Sequence, residues 1–203
     1  MVTVITARAR SPWQAAHFIG GHLVLDLTNT VFDRMHPVED GELVKSPSDV
    51  LAWCASAGLF EEAPTLAEAS AADLVLEFRA VREQVWAVFN AVARNEEMPA
   101  EPLGALLERA GTGVGAARVQ QIDASLDRFV ADWAAPGAIP SILSLLAVQA
   151  LFSLPPERIR ACGRCGWLFL DSSRGRRRRW CSMSTCGNRE KASRHRQVER
   201  AAG

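Results

Sequence analysis

The sequence has no apolar run long enough to cross a bilayer. Its longest uncharged stretch, 133–156, is broken by Pro136, Pro140, Pro155 and Pro156. The helical part, about 141–154, would span only ~21 Å at 1.5 Å per residue, against a hydrocarbon layer of ~30 Å. Before Gly20 there is no continuous apolar segment, only a start carrying Arg8 and Arg10, so no secretory leader is expected. A phosphate loop is also missing, because Gly111-Thr-Gly113-Val-Gly115 lacks both the following Lys-Ser/Thr and a strand–turn–helix setting. No internal repeat and no low-complexity tract is present apart from one arginine run. These absences point to a cytoplasmic protein without a membrane segment, whose thiols stay reduced and available to metal.

Five cysteines are present, and four of them fall in one 25-residue window: Cys162 and Cys165 as C-x2-C, fifteen intervening residues, then Cys181 and Cys186 as C-x4-C. A C-x2-C pair turns both thiolates inward from one tight turn. A second pair close by completes a tetrahedron around Zn²⁺ at about 2.3 Å per Zn–S bond. Four protein ligands leave no open position, so the zinc is expected to be structural, with no metal-activated water. Two disulfides, or four unrelated core thiols, are the plainer alternatives. Gly163 and Gly166 relieve the first turn, and Trp167-Leu-Phe169-Leu170 reads as a strand leaving it. A polar, Arg-rich helix is expected from Asn188, its N-cap, to Arg200. So small a unit buries little apolar surface, so its folding should depend on the metal, with Trp180, Phe169 and Leu168 as its core.

The run Trp167-Leu-Phe-Leu-Asp171, Arg179-Trp-Cys181-Ser-Met183, Cys186-Gly-Asn-Arg189 and Lys191 resembles the CGNR zinc finger, named for the tetrapeptide found here at 186–189. Many members space the first cysteine pair more widely; the departure tightens the first turn and leaves the ligand count intact. Upstream, Gly20-Gly-His22-Leu-Val-Leu-Asp26-Leu-Thr-Asn29-Thr30, then Ser46-Pro47 and Trp53, resemble the helical-plus-strand ABATE domain of stress-induced transcription regulators. The resemblance implies nucleic-acid binding and regulation.

Charge bears on the same point. The 23 Lys/Arg and 23 Asp/Glu cancel over the chain, yet residues 157–203 hold thirteen against four, a net of +9, and residues 1–156 a net of −9. A compact basic module suits a phosphate-backbone binder. Twelve of the thirteen cations are arginine, whose planar fork binds phosphate bidentately and reads guanine edges. Arg176, Arg177, Arg178 and Arg179 form a run entering Trp180-Cys181. On a helix from 187 onward Arg189, Arg196 and Arg200 share one face, with Lys191 and Arg194 on the other side. A solvated basic tail is the bland alternative. Within the tetrapeptide, Gly187 is assigned to a tight turn, and Arg189 to phosphate or to Asp171.

In the N-terminal part, Leu23, Leu25 and Leu27 alternate with His22, Val24, Asp26 and Thr28, the period of a half-buried strand over 22–30. Its polar residues His22, Asp26 and Asn29 are a candidate ligand or catalytic site, or strand-end hydrogen-bonding groups. One His and one Asp without a nucleophile make a weak catalytic set, so no enzyme is expected. Ser46-Pro47-Ser48-Asp49 is a capping box opening a helix that ends at Gly58 and carries Cys54 on its apolar stripe as a core thiol. Leu74, Phe78, Val81, Val85, Val88 and Val92 mark the longest helix, from 65 or 71 to 94, with Arg79 and Glu83 as an i, i+4 surface pair. A short helix, 99–110, should stop at Gly111. Residues 118–133 fit helix or strand by spacing; the ABATE resemblance favours a hairpin turning near 123–127. A last apolar helix, 141–154, ends at a Pro155-Pro156 hinge.

The expected architecture is α+β: a mainly helical domain with a small antiparallel sheet over 1–156, and a four-cysteine zinc finger, hairpin plus helix, over 157–203. The expected role is a zinc-binding transcription regulator contacting nucleic acid, double-stranded DNA in the leading reading. RNA, or an acidic protein surface docked by the basic finger, are the alternatives. A homodimer and a small-molecule effector of the first domain fit the same scheme.

Overall fold

The computed structural model describes residues 13–60, 63–121 and 129–202. Its elements in chain order are α1 (Leu23–Thr28), α2 (Pro47–Ser56), α3 (Glu68–Arg94), α4 (Ala100–Gly115), β1 (Val119–Gln121), β2 (Phe129–Ala131), α5 (Ala138–Ser153), β3 (Ile159–Ala161), β4 (Leu168–Leu170) and α6 (Asn188–Ala202). Two antiparallel pairs, β1 with β2 and β3 with β4, are the sheets, and helices make up the rest of the architecture. No helix among the described residues is long and apolar enough to cross a membrane.

The long helix α3 is the spine. Phe78, Val81, Val85, Val88 and Phe89 are fully buried along its expected stripe, where Trp53 of α2 meets Phe78 edge-on at 5.5 Å between ring centroids. The capping box at the start of α2 is formed: Ser46 accepts from the Asp49 N–H, and the Asp49 carboxylate accepts from the Ser46 N–H at 2.8 Å. Cys54 is fully buried, and burial pushes its thiol well above the ordinary range.

Four expectations need correction. Residues 23–28 form a helix rather than a strand, with the His22 Nδ1 accepting from the Val24 N–H. The period-two reading failed because both parities are buried: Val24 as well as Leu25 and Leu27. The hydroxyls of Thr28 and Thr30 satisfy themselves on carbonyls three residues back, of Leu25 and Leu27. Second, α4 does not stop at Gly111 but continues to Gly115. At Gly113 a Cβ would lie 2.4 Å from that of Ser141, so the missing side chain lets α4 and α5 close together. That packing outweighs glycine's poor helix propensity.

Third, Arg79 and Glu83 do not pair with each other. Arg79 pairs with Glu42 at 3.3 Å, while Glu83 receives Arg34 and Arg82, each at 2.7 Å. Arg82, almost wholly buried, also grips Glu42 bidentately at 2.7 and 2.8 Å. This network fastens the segment after α1 onto α3. The fourth correction concerns Leu168, taken up with the hairpin below. The β1–β2 hairpin is present with Val119 opposite Ala131; its expected turn at 123–127 lies outside the described residues.

Pairing of Ile159 with Leu170 and Ala161 with Leu168 sets the β3–β4 register. Side chains alternate across a strand, so the hairpin has two faces. Ile159 and Leu168 join the large core built by α1 to α5, whereas Phe169 packs with Cys162, Cys165, Cys181, Cys186 and Trp167. Leu168 is therefore part of the larger core, not the finger's own.

Candidate zinc centre and basic surface

Cys162 and Cys165 sit at the mouth of the β3–β4 hairpin. The chain reverses there through Gly166, whose N–H donates to the Cys162 carbonyl at 2.9 Å and whose φ of +73° is strained for any side chain. Cys181 enters from the arginine loop. Cys186 lies in a one-turn π-helix, Met183–Gly187, closed by the Gly187 N–H on the Ser182 carbonyl at 3.0 Å. The four sulfurs all lie within 4.8 Å of one another, with Cys165–Cys181 and Cys181–Cys186 at 3.7 Å. A tetrahedron with arms of about 2.3 Å has edges near 3.8 Å, so the donor set fits a four-thiolate zinc ion. All five cysteines are free thiols, which removes the disulfide alternative.

The thiols also act on one another. Hydrogen bonds from the Cys165 and Cys181 thiols, and from the backbone N–H groups of the same residues, hold the Cys162 thiol far below its ordinary value. The same sharing pushes Cys165 and Cys181 up. A dication bound among the four sulfurs would favour their thiolate forms, so its binding releases the thiol protons. The site is closed and structural.

Beyond the sulfurs, Asp171 organises the arginine loop. It is fully buried, which disfavours its charge, but N–H donors from Ser173 (3.0 Å) and Arg178 (2.9 Å) outweigh burial and hold its carboxyl below the usual range. Arg178 is committed to the fold. Its Nη2 donates to the Cys181 carbonyl at 2.6 Å and its guanidinium lies 4.6 Å from the centroid of the Phe169 ring. Arg176 pairs with Glu157 at 3.5 Å, Arg194 with Glu190 at 3.3 Å, and Arg164 reaches Glu190 at 3.4 Å. Arg177, Arg179, Arg189, Lys191 and Arg196 are exposed and have no acidic partner among the described residues. Arg179 lies over the Trp180 ring at 5.1 Å.

Two assignments within the tetrapeptide change. Asn188 is already helical and donates back to the Ser184 carbonyl at 3.4 Å; the extended residue before the helical run is Ser182. Gly187 makes no tight turn. It is small because a Cβ there would strike the Met183 sulfur at 2.7 Å and the Trp180 ring at 3.3 Å. Arg189 makes no ion pair with Asp171 among the described residues; that carboxylate accepts from the N–H groups of Ser173 and Arg178.

His22, Asp26 and Asn29 do internal work. His22 caps α1, and burial lowers its pKa. Asp26 accepts from the Gly20 N–H at 2.7 Å, while burial pushes its carboxyl up to about 6. Asn29 is almost wholly buried and clips β4, its Nδ2 donating to the Leu168 carbonyl and its Oδ1 accepting from the Leu168 N–H, both at 2.9 Å. A primary amide offers the same donor and acceptor pair as a peptide group, so Asn29 completes the strand edge as another strand would.

Three further contacts escaped the sequence reading. Trp167 Nε1 donates to the Val31 carbonyl at 2.6 Å, the Leu170 N–H to the Gly20 carbonyl at 2.7 Å, and the Arg34 N–H to the Cys165 carbonyl at 2.9 Å. Arg34 also donates to the Thr28 carbonyl through Nε and Nη2 and rests 4.8 Å from the centroid of the Trp86 ring. All join residues more than a hundred positions apart or at loop ends, where no local pattern announces them.

Comparison with known families fits this geometry. The CGNR zinc finger matches residues 158–198, and ABATE, described as "Putative stress-induced transcription regulator", matches residues 21–154. Neither description is of an enzyme. Among curated proteins no relative matches the chain. The 21–154 match spans most of the chain, which therefore belongs to the ABATE family and carries a CGNR zinc finger.

Proposed function

We propose that this protein is a regulator that binds double-stranded DNA through phosphate contacts from the arginine-rich surface around its zinc centre. The observation that carries this reading is the set of exposed cations without an acidic partner, Arg177 and Arg179 in the loop entering Cys181 and Arg189, Lys191 and Arg196 on α6. Unneutralised positive charge attracts a polyanion, and release of counterions drives the association. Arg177 and Arg179 flank Arg178, whose side chain is anchored to the Cys181 carbonyl, so their backbone is presented in a fixed position.

Docking of the finger onto its own acidic domain is the competing reading. Among the described residues, no arginine from 174 to 200 pairs with an acidic residue of 1–156; the contacts between the two parts are apolar or run through backbone groups. Arg177, Arg179, Arg189 and Arg196 stay available to an outside partner.

The test is a titration of zinc-loaded protein into labelled mixed-sequence duplex DNA across a salt series, with an Arg177→Glu/Arg179→Glu variant alongside. The affinity should fall steeply with salt, with a slope of about −0.9 per phosphate contact, and drop by roughly two orders of magnitude in the variant. Tighter binding to single-stranded or duplex RNA of the same length would redirect the reading to RNA. No binding to either at low salt would end it and favour an acidic protein partner.

A further inference from the structure

We infer that the cleft where α3, α4 and the start of α5 meet binds a small zwitterion, of which a free α-amino acid is the class that fits. This site is distinct from His22, Asp26 and Asn29 and does not depend on the nucleic-acid reading. The cleft has a volume of about 300 Å³, at the small end of ligand pockets, and its charged and hydroxyl-bearing lining is Glu77, Glu108, Arg109, Thr112, Arg118 and Ser141.

Arg109 is held by Gln84 at 2.7 Å. The carboxylates of Glu77 and Glu108 and the guanidinium of Arg118 face the same small space, yet none is in an ion pair among the described residues. Elsewhere in this domain neighbouring opposite charges do meet, as Arg34 with Glu83 and Arg82 with Glu42 do at 2.7 Å. Opposite charges held apart across one cleft leave a gap that a molecule bearing both signs would bridge.

Ser141 supplies the second observation. It is only 2% exposed, and its hydroxyl makes no hydrogen bond among the described residues, although it lines the cleft. Ser144, one turn on, shows the ordinary behaviour of a helical serine, donating to the Pro140 carbonyl at 2.8 Å. A hydroxyl that opens onto the cleft without a protein partner is free to bond to what enters it.

The groups divide by sign. Ser141 belongs to the first turn of α5, which starts at Gly137 without a side-chain cap, and Arg118 Nη1 lies 3.4 Å from where a Gly137 Cβ would stand. That end offers a guanidinium, a hydroxyl and the positive pole of a 16-residue helix to a carboxylate. Glu77 from α3 and Glu108 from α4 offer two carboxylates to an ammonium. A bare anion would meet the acids unshielded, and a bare cation would meet Arg118.

The experiment uses the zinc-loaded full chain. Thermal unfolding and amide NMR spectra are recorded with each of the common amino acids at millimolar concentration. Acetate, methylammonium and their equimolar mixture serve as controls at matched ionic strength. At least one amino acid should raise the melting temperature saturably and shift the Gly113 and Gly137 amides, while the controls do neither. Arg118→Gln and Glu108→Gln should each weaken that affinity by about tenfold or more, as expected for loss of a charge-assisted contact. Both residues lie outside the core and pair with nothing, so the unliganded melting temperatures should stay close to that of the parent. Absence of any response, a response to acetate alone, or unchanged affinity in both variants would overturn the assignment.

Discussion

Residues 21–154 bury Trp53, Phe78, Phe89 and Leu143 completely in one apolar cluster, whereas the cluster around the cysteines has only Trp167 and Phe169 as large buried side chains, with Ile19 and Trp180 partly covering them. The first region draws its stability mainly from removing hydrocarbon from water. The second cannot do so, and its sulfurs gain their stability from the metal they share. The β3–β4 hairpin belongs to both. One face, Ile159 and Leu168, completes the large core, and the other, through Phe169, backs the zinc centre. The cysteine cluster is thus backed by a hairpin whose other face is part of the large core.

Zinc removal tests that division most severely. Structural zinc contributes on the order of 10 kcal/mol or more in small fingers. Chelation should therefore strip hydrogen-exchange protection from 162–198 and leave the central amides of α3 and α5 slow. Loss of protection in α3 at the same chelator concentration would mean that the two regions unfold as one, and the contrast drawn between them would fail.

Asn29→Ala comes next. It leaves the Leu168 N–H and carbonyl buried without partners, at about 1–3 kcal/mol for each group, so a loss of about 2–6 kcal/mol is expected in urea unfolding. The zinc stoichiometry should stay at one per chain, because the clip lies on the strand edge and not among the sulfurs. A variant that also loses zinc would show that the strand edge and the metal site cannot be separated.

How much of this was legible in the sequence follows from the range of each interaction. The cysteine spacing encodes a local turn and a second turn, so the four ligands were readable. So were the stripe of α3 and the Ser46 capping box, whose partners lie within one helical turn. The helix at 23–28 was not, because alternation predicts exposure of one parity, and a segment buried on all sides with self-satisfied threonines offers no such contrast. Leu168 was placed in the wrong core although Phe169 beside it was placed correctly. Adjacent strand residues point to opposite faces, and period two already forbade putting both in one cluster. The Asn29 clip joins positions 139 apart, and nothing in its neighbourhood signals a strand edge to be completed.

Asp26 gives a smaller, pH-dependent effect. Burial raises its carboxyl to about 6 from 3.8, so the folded state favours the protonated form. The stability this group contributes is fully present below pH 3.8 and is lost as the pH rises through about 6, by up to about 3 kcal/mol in all. Asp26→Asn keeps an oxygen for the Gly20 N–H and cannot ionise. Urea midpoints should therefore rise in the variant relative to the parent at pH 7.5 and nearly coincide at pH 4. A difference independent of pH would mean that Asp26 titrates as an ordinary carboxyl, and that the helix it belongs to is less enclosed than its contacts indicate.

The finest division lies within the arginine run, between two adjacent residues. Arg178 donates to the Cys181 carbonyl and covers the Phe169 ring, so Arg178→Ala should cost about 1–2 kcal/mol of stability through the lost charged hydrogen bond and ring contact. Arg177 is exposed and makes no such contact, so Arg177→Ala should leave stability within about 0.5 kcal/mol of the parent. Binding should sort them the other way: Arg177→Ala lowers the salt slope with duplex DNA by about one counterion, whereas Arg178→Ala, measured where the variant is fully folded, leaves that slope nearly unchanged. Equal slopes for both variants would dissolve the distinction between an arginine that builds the surface and one that uses it. A stability loss in Arg177→Ala matching that of Arg178→Ala would do the same from the other side, because the run would then be structural throughout and the cations for any polyanion would have to come from α6 alone.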